Sequence, residues 1–236
     1  MKIAIRIALV VVIAAMAYLC TMSIMTPIKF DQEREKREKA IIQNLIDIRT
    51  AQIEYKKLNG VYCADADELV KFIEEGKMPM VLKEGTLTDE QLKNGLTEQK
   101  ALAIIKKGNA KEIAENGLEG FRRDTAYVTV YESLFASRYT MEQVKNIIYV
   151  PYSEKQGERV KFSFDTARFT NNNTQMVTPL VQVGVEYDTY LGDLNHQQLV
   201  NLKDFQSKLQ EQKEDKFLGL RFGSIIESNN NAGNWE

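Results

Sequence analysis

One stretch limits what this chain can become: Ile7 to Met25 reads IALVVVIAAMAYLCTMSIM, 19 residues without a charged side chain. Coiled as an α-helix it would be about 28 Å long, close to the roughly 30 Å hydrocarbon core of a bilayer. A helix also satisfies every backbone N–H and C=O within the segment, which lipid requires. The run outlasts the roughly 7–15 apolar residues of a cleaved signal peptide, and no small-x-small site closes it. A lipid-modified Cys20 would want small residues before it, and Tyr18-Leu19 stands there. The reading is therefore an uncleaved single-pass anchor, with Ile7, Leu9, Val12, Ile13, Leu19 and Ile24 as anchoring residues. Pro27 follows, suited to end or kink the helix on exit.

Orientation depends on which charges count. Lys2 and Arg6 precede the span; Lys29, Arg34, Lys36, Arg37 and Lys39 follow it. Taken literally, the positive-inside count favours a cytoplasmic C-terminal domain acting as an adaptor. The far-side charges are interleaved with Asp31, Glu33, Glu35 and Glu38, however, and most lie several residues past the membrane. A short basic N-terminus also resists translocation. The expected topology is an inner-membrane protein with its N-terminus (1–6) cytoplasmic and its C-terminal domain periplasmic.

Composition removes other classes. With Lys+Arg 31 against Asp+Glu 33 in 236 residues, the net charge is −2. The basic excess of a nucleic-acid binder is missing. One histidine and two cysteines are too few for a His/Cys zinc site or a disulfide scaffold. Along a continuous helix Cys20 and Cys63 lie tens of ångströms apart, far beyond disulfide reach. Cys63 reads as a buried free thiol, the alternative being a bridge between chains.

The rest of the chain divides by period. Residues 27–40 form a charged stretch, the ten from Phe30 to Lys39 being almost all charged, with i,i+4 pairs Glu33/Arg37 and Glu35/Lys39 supporting a solvated helical stalk. From Ala40 the apolar residues return at helical spacing: Ile41, Leu45, Ile48 and Tyr55 define a face for packing or interaction. Asn59-Gly60 ends that helix. A second helix starts near Asp65 or Asp67 and runs to Glu75. Its acidic start matches helix capping better than calcium binding. Residues 88–117 carry N-cap-like starts at Thr88 and Thr97 and read as a peripheral helical insertion. The period then drops to 2 around Tyr127–Tyr131, Val160–Phe164, Val181–Tyr187 and Leu218–Phe222, predicting strands with one face on helices and one in solvent. Asn195–Gln212 reads as a helix with Leu199, Leu202, Phe205 and Leu209 on one face. The class is α+β, a long N-terminal helix packed on an antiparallel sheet, with a head over 41–226 and a flexible tail over 227–236. Trp235, the single tryptophan, is a candidate contact in that tail.

Searching for chemistry yields little. GxxxxGK[ST] and GxGxxG are absent. His196 sits at a helix start with no nucleophile elbow near it and reads as a surface histidine. No catalytic residue, metal or cofactor is expected. Carboxylates are abundant but show no pattern, so an anchored enzyme or small-ligand binder using them stays open as the alternative.

Two resemblances add to this. Asp47-Ile-Arg-Thr-Ala-Gln-Ile-Glu-Tyr-Lys-Lys-Leu-Asn-Gly-Val-Tyr62, with Leu69-Val70, resembles the end of the long N-terminal helix in type IV pilins and type II secretion pseudopilins. Those proteins carry a Gly before the apolar helix and a Glu five residues after the cut. Here the first glycine is Gly60 and no acidic residue falls before Asp31. The implied plan is pilin-like without prepilin processing. Along most of its length the chain is also similar to single-pass membrane proteins of Bacteroidota, through MTPIKF, Tyr149-Val-Pro-Tyr152 and the Leu218-Gly-Leu…Asn-Trp-Glu end. That resemblance implies that Asp124-Thr-Ala126 and Asp165-Thr-Ala167 match a periplasmic O-glycosylation site. The function expected is a membrane-anchored, non-enzymatic interaction or assembly protein of the envelope. Its partners would be the lipid bilayer and other proteins, with self-association open, and no nucleic acid.

Overall fold

The computed structural model describes residues 2–154, 157–170, 175–212 and 215–236, with side chains left aside at 2, 4, 81–83 and 123–125. The class is α+β, as expected. A long helix α1 (Lys2–Asn59) leads into α2 (Ala66–Glu75), β1 (Lys77–Glu84), α3 (Asp89–Lys93), α4 (Glu98–Lys107), α5 (Ala110–Glu115) and β2 (Arg122–Thr129). Then come α6 (Val130–Leu134), α7 (Met141–Asn146), β3 (Ser163–Thr170), β4 (Val177–Glu186), α8 (Tyr187–Leu191), α9 (His196–Leu209) and β5 (Gly219–Gly223). The chain divides into two compact units, one of residues 1–72 with 139–236 and the other of residues 73–138.

α1 carries the apolar run on into the amphipathic face, with Pro27 inside the helix rather than at its end. A proline there costs the Ser23 carbonyl its donor. The bonds on either side persist, and Thr26 donates its hydroxyl to the Met22 carbonyl at 2.7 Å. Nor is 27–40 a bare stalk: Phe30 is 5% and Arg37 8% exposed, so packing begins a turn or two past the apolar run. The i,i+4 pair Glu35–Lys39 is present on the outer face at 2.8 Å. Gly60 ends the helix at φ +76, donating its N–H to Lys56 O.

In the first unit β3, β4 and β5 form an antiparallel sheet in that order, and α1 lies against β5. Ile41, Leu45 and Ile48 are fully buried, as are Val183, Phe222 and Tyr190. Tyr55 is only half-buried, its ring edge-on to Phe72 at 5.0 Å. β4 departs from the expected half-buried pattern: Leu180 to Val185 are buried on both faces. Gln182 tolerates this because Arg221 Nη1 donates to its Oε1 at 2.7 Å. At Gly184 there is no room for a Cβ, because the Phe217 ring and the Arg221 side chain lie over it. Asp65 Oδ1 accepts from Glu68 N at 2.9 Å, the capping expected of the acidic run at the start of α2.

Three further expectations fail for physical reasons. The alternation at 127–131 and 181–187 does not run on as strand: Thr129 closes a capping box with Glu132 and starts α6, and α8 starts at Tyr187. On α9 Leu199 is buried, but Phe205 and Leu209 are 59% and 62% exposed, so the expected inward face is covered only at its start. The 227–236 segment is tied down rather than loose. Asn230 and Asn231 take φ 55 and 57, and the chain turns back along the free edge of β5. There Gly223 N donates to Ala232 O and Asn234 N to Arg221 O, both at 3.0 Å. Asn tolerates the left-handed turn that an Asn-rich run here supplies.

The second unit is wider than the 88–117 insertion and holds its own antiparallel pair, β1 with β2. The expected single sheet is thus two. The helix starts at Thr88 and Thr97 are real N-caps, and Leu96, Ala101, Leu118 and Phe121 form a small local core.

Candidate functional site

A cleft of about 720 Å³ lies in the first unit, where residues 139–154 meet α1 and α8. One wall comes from α1, which presents Arg37 and Asn44 seven residues, or about two turns, apart. α7 supplies another, its start fixed by a capping box between Thr140 and Gln143. The short run after α7 is pinned by Val150 N to Val160 O at 2.8 Å and Phe162 N to Ile148 O at 3.0 Å. Its aliphatic side chains, Ile147 and Val150, are each 3% exposed. Tyrosines and amides are left to face the opening.

Tyr152 has an unusual backbone. It follows Pro151 in a tight turn and takes φ +62, a left-handed conformation normally given to Gly or Asn in such turns. For a bulky residue that costs on the order of 1–3 kcal/mol and persists only where the surroundings enforce it. Ser153 is part of that enforcement: its buried hydroxyl donates to Val150 O at 2.7 Å and accepts from Val160 N at 3.4 Å. Tyr152 is 47% exposed, with the Arg37 guanidinium carbon 5.4 Å and Lys36 Nζ 6.0 Å from its ring centroid.

Arg37 is the buried cation of the site. Its Nη1 donates to Tyr190 O at 2.6 Å, and its two terminal nitrogens grip both oxygens of Asp193, Nη2 at 2.8 Å. Its Nε is buried with no hydrogen-bond partner among the described residues. That grip raises the Arg37 pKa and lowers that of Asp193, the hydrogen bond being the main cause on both sides. Beside it Glu38 moves the other way, because burial raises its carboxyl. Burial likewise raises Tyr190, whose hydroxyl donates to Glu38 at 3.3 Å. Deeper still, Asp47 is fully buried and accepts from Tyr139 Oη at 2.8 Å, anchoring one tyrosine of the cleft to α1. At the far rim Arg159 donates to Asn146 Oδ1 at 2.8 Å and lies over the Tyr149 ring at 4.9 Å.

The residues singled out in the sequence lie elsewhere. Ile7, Leu9, Val12, Ile13, Leu19 and Ile24 are between 54% and 65% exposed along α1. This single apolar helix has the length and composition to cross a membrane. Ile41, Leu45 and Ile48 are occupied within the unit's own interior. His196 is exposed at the first turn of α9. Cys63 is buried and Cys20 exposed, both free. Asp165 and Thr166 are exposed on β3, whereas the side chains of Asp124 and Thr125 lie outside the described residues. Trp235 is half-buried, and its ring fills the space a Cβ on Gly233 would need. The cleft itself was not legible from motifs. Its one signal is Pro151 followed by a residue other than Gly or Asn.

No protein-family model matches this sequence, and no curated protein or solved structure is significantly similar to it.

Proposed function

We propose that the chain is a membrane-anchored, non-enzymatic interaction or assembly protein of the cell envelope. In this reading Ile7–Met25 spans the inner membrane, the N-terminus is cytoplasmic and the head is periplasmic. The observation that carries the proposal is the unbroken α1, in which an exposed 19-residue apolar run and the buried Ile41–Ile48 face belong to one helix. A head joined to its anchor by a helix rather than a loop stands at a set distance from the bilayer, as a presenting or assembling module needs. The plan is pilin-like, and the helix lacks the glycine that prepilin cleavage requires. The test is crosslinking in intact cells followed by affinity purification of the full chain. Recovery of the same envelope proteins, or of a crosslinked multimer of the chain, supports the proposal; a chain that crosslinks to nothing above a membrane-protein control overturns it.

A further inference from the structure

We propose that the cleft at 139–154 binds a neutral oligosaccharide, stacked on Tyr152 and held by the uncommitted polar atoms around it. This deepens the interaction reading given above by naming a chemical class for its partner, and rests on that reading only for the compartment where such a sugar is met. Charge supplies the first argument. Both lining cations are already spoken for: Arg37 is gripped by Asp193, and Arg159 bonds Asn146 while covering Tyr149. The two lysines near these rings are ion-paired as well, Lys161 with Asp67 at 2.6 Å and Lys36 with Glu33 at 3.8 Å. Glu154 is exposed and without a partner among the described residues, and one carboxylate can accept from two neighbouring hydroxyls of a sugar.

The surface that remains also favours a sugar. Ile147 and Val150 are each 3% exposed, so these two aliphatic side chains offer little surface to the anchoring side chain of a peptide. Instead there is an exposed aromatic ring. Around it Tyr149 Oη, Tyr152 Oη, Thr189 Oγ1, Gln143 Nε2 and Asn44 Oδ1 have no hydrogen-bond partner among the described residues. That mixture of donors, acceptors and groups able to do both suits sugar hydroxyls, which also donate and accept. The aromatic ring suits the C–H face of a pyranose. The cleft volume, about 720 Å³, falls in the usual range for small-ligand sites.

Tyr152 itself is held in a costly conformation. A glycine would sit at φ +62 without strain, yet a tyrosine is held there. Strain of this kind gathers where a side chain is needed in a set position.

The experiment uses the full chain in micelles of a detergent with no sugar headgroup, such as lauryldimethylamine oxide. Chitotetraose, maltotetraose and tetraglutamate are the probes, followed by saturation-transfer NMR. The expected result is saturable binding of at least one tetrasaccharide at millimolar concentration or below, weakened at least tenfold in Tyr152→Gly. That variant relieves the backbone, so its melting temperature should equal or exceed that of the parent. Should it melt lower, Tyr152→Asn, which also accepts the left-handed turn, gives the same test. No saturable binding of either tetrasaccharide, undiminished binding in the variant, or binding of tetraglutamate alone each overturns the proposal. Binding in micelles does not depend on membrane orientation, so it stands or falls separately from the periplasmic assignment.

Discussion

The Cys63 thiol is 2% exposed, and burial pushes its pKa up to about 11. A thiol so placed is nearly all protonated at neutral pH, and the thiolate is the reactive form. Cys63 should therefore resist maleimide at pH 7.5 in the folded chain and react fully once denatured. Fast labelling of the native chain at this site, read by mass spectrometry of its peptide, would show the thiol to be accessible. The Arg37–Asp193 pair predicts a pH effect of definite sign. Asp193 is held below its ordinary value by Arg37, so the folded state binds fewer protons there than the unfolded one. Its contribution is fully present above about pH 4, where the unfolded carboxyl is ionised, and is lost as pH falls through the lowered folded value. Glu38, raised by burial, acts in the opposite sense and favours the fold at acid pH. Asp193→Asn should thus lower the melting temperature near pH 6 and flatten its fall between pH 5 and pH 2. A parallel shift at every pH would mean that the carboxylate contributes no proton linkage.

Among the elements, α1 carries the most removable stability. Leu45 is fully exclude from solvent at 0% exposure, and Leu45→Ala should cost roughly 2–5 kcal/mol as a lost transfer term plus a cavity. Chemical denaturation of the full chain in micelles measures this, and an unmoved midpoint would take that face out of the interior. The α1 face was legible because a 3.6-residue apolar period survives wherever a helix has one dry side. β4 and β5 were legible from alternation, though β4 is covered on both faces and its polar Gln182 is excused by Arg221, whereas the alternation at Val160–Phe164 falls mostly before β3, which begins at Ser163. What escaped were elements decided by a single local bond or by distant cover. Thr129 and Glu132 turn a strand into a helix within one residue, and the apolar stripe of α9 runs past its cover at Phe205. The tail and Tyr152 share a different cause. Both depend on left-handed backbone at non-glycine residues, which composition alone does not announce.

At the scale of the whole molecule the first question is orientation. A C-terminal alkaline phosphatase fusion should be active and a cytoplasm-active fluorescent protein fusion dark; the reverse pattern would turn the molecule over. A second measurement uses the only tryptophan in the chain. With Glu236 held by Arg49 at 2.6 Å and the Trp235 ring lying over Gly233, its emission should be blue-shifted from free tryptophan. Gly233→Ala puts a methyl where the ring lies and should shift that emission to the red with little loss of stability. The same emission maximum in both chains would leave the ring without its seat.

The uninterrupted passage of α1 through Pro27 also fixes a phase. Each residue in a helix adds about 1.5 Å of height and about 100° of rotation. The bearing of any side of the Ile7–Met25 run and the bearing of the side that carries the cleft are therefore geared together. Two alanines inserted after Ile24 would raise the head by only about 3 Å but swing it through about 200°. Seven would raise it by about 10 Å and return it nearly to its original bearing. If the chain works within an assembly that grips both ends, the seven-residue insertion should be the better tolerated. Height would then be negotiable and azimuth not.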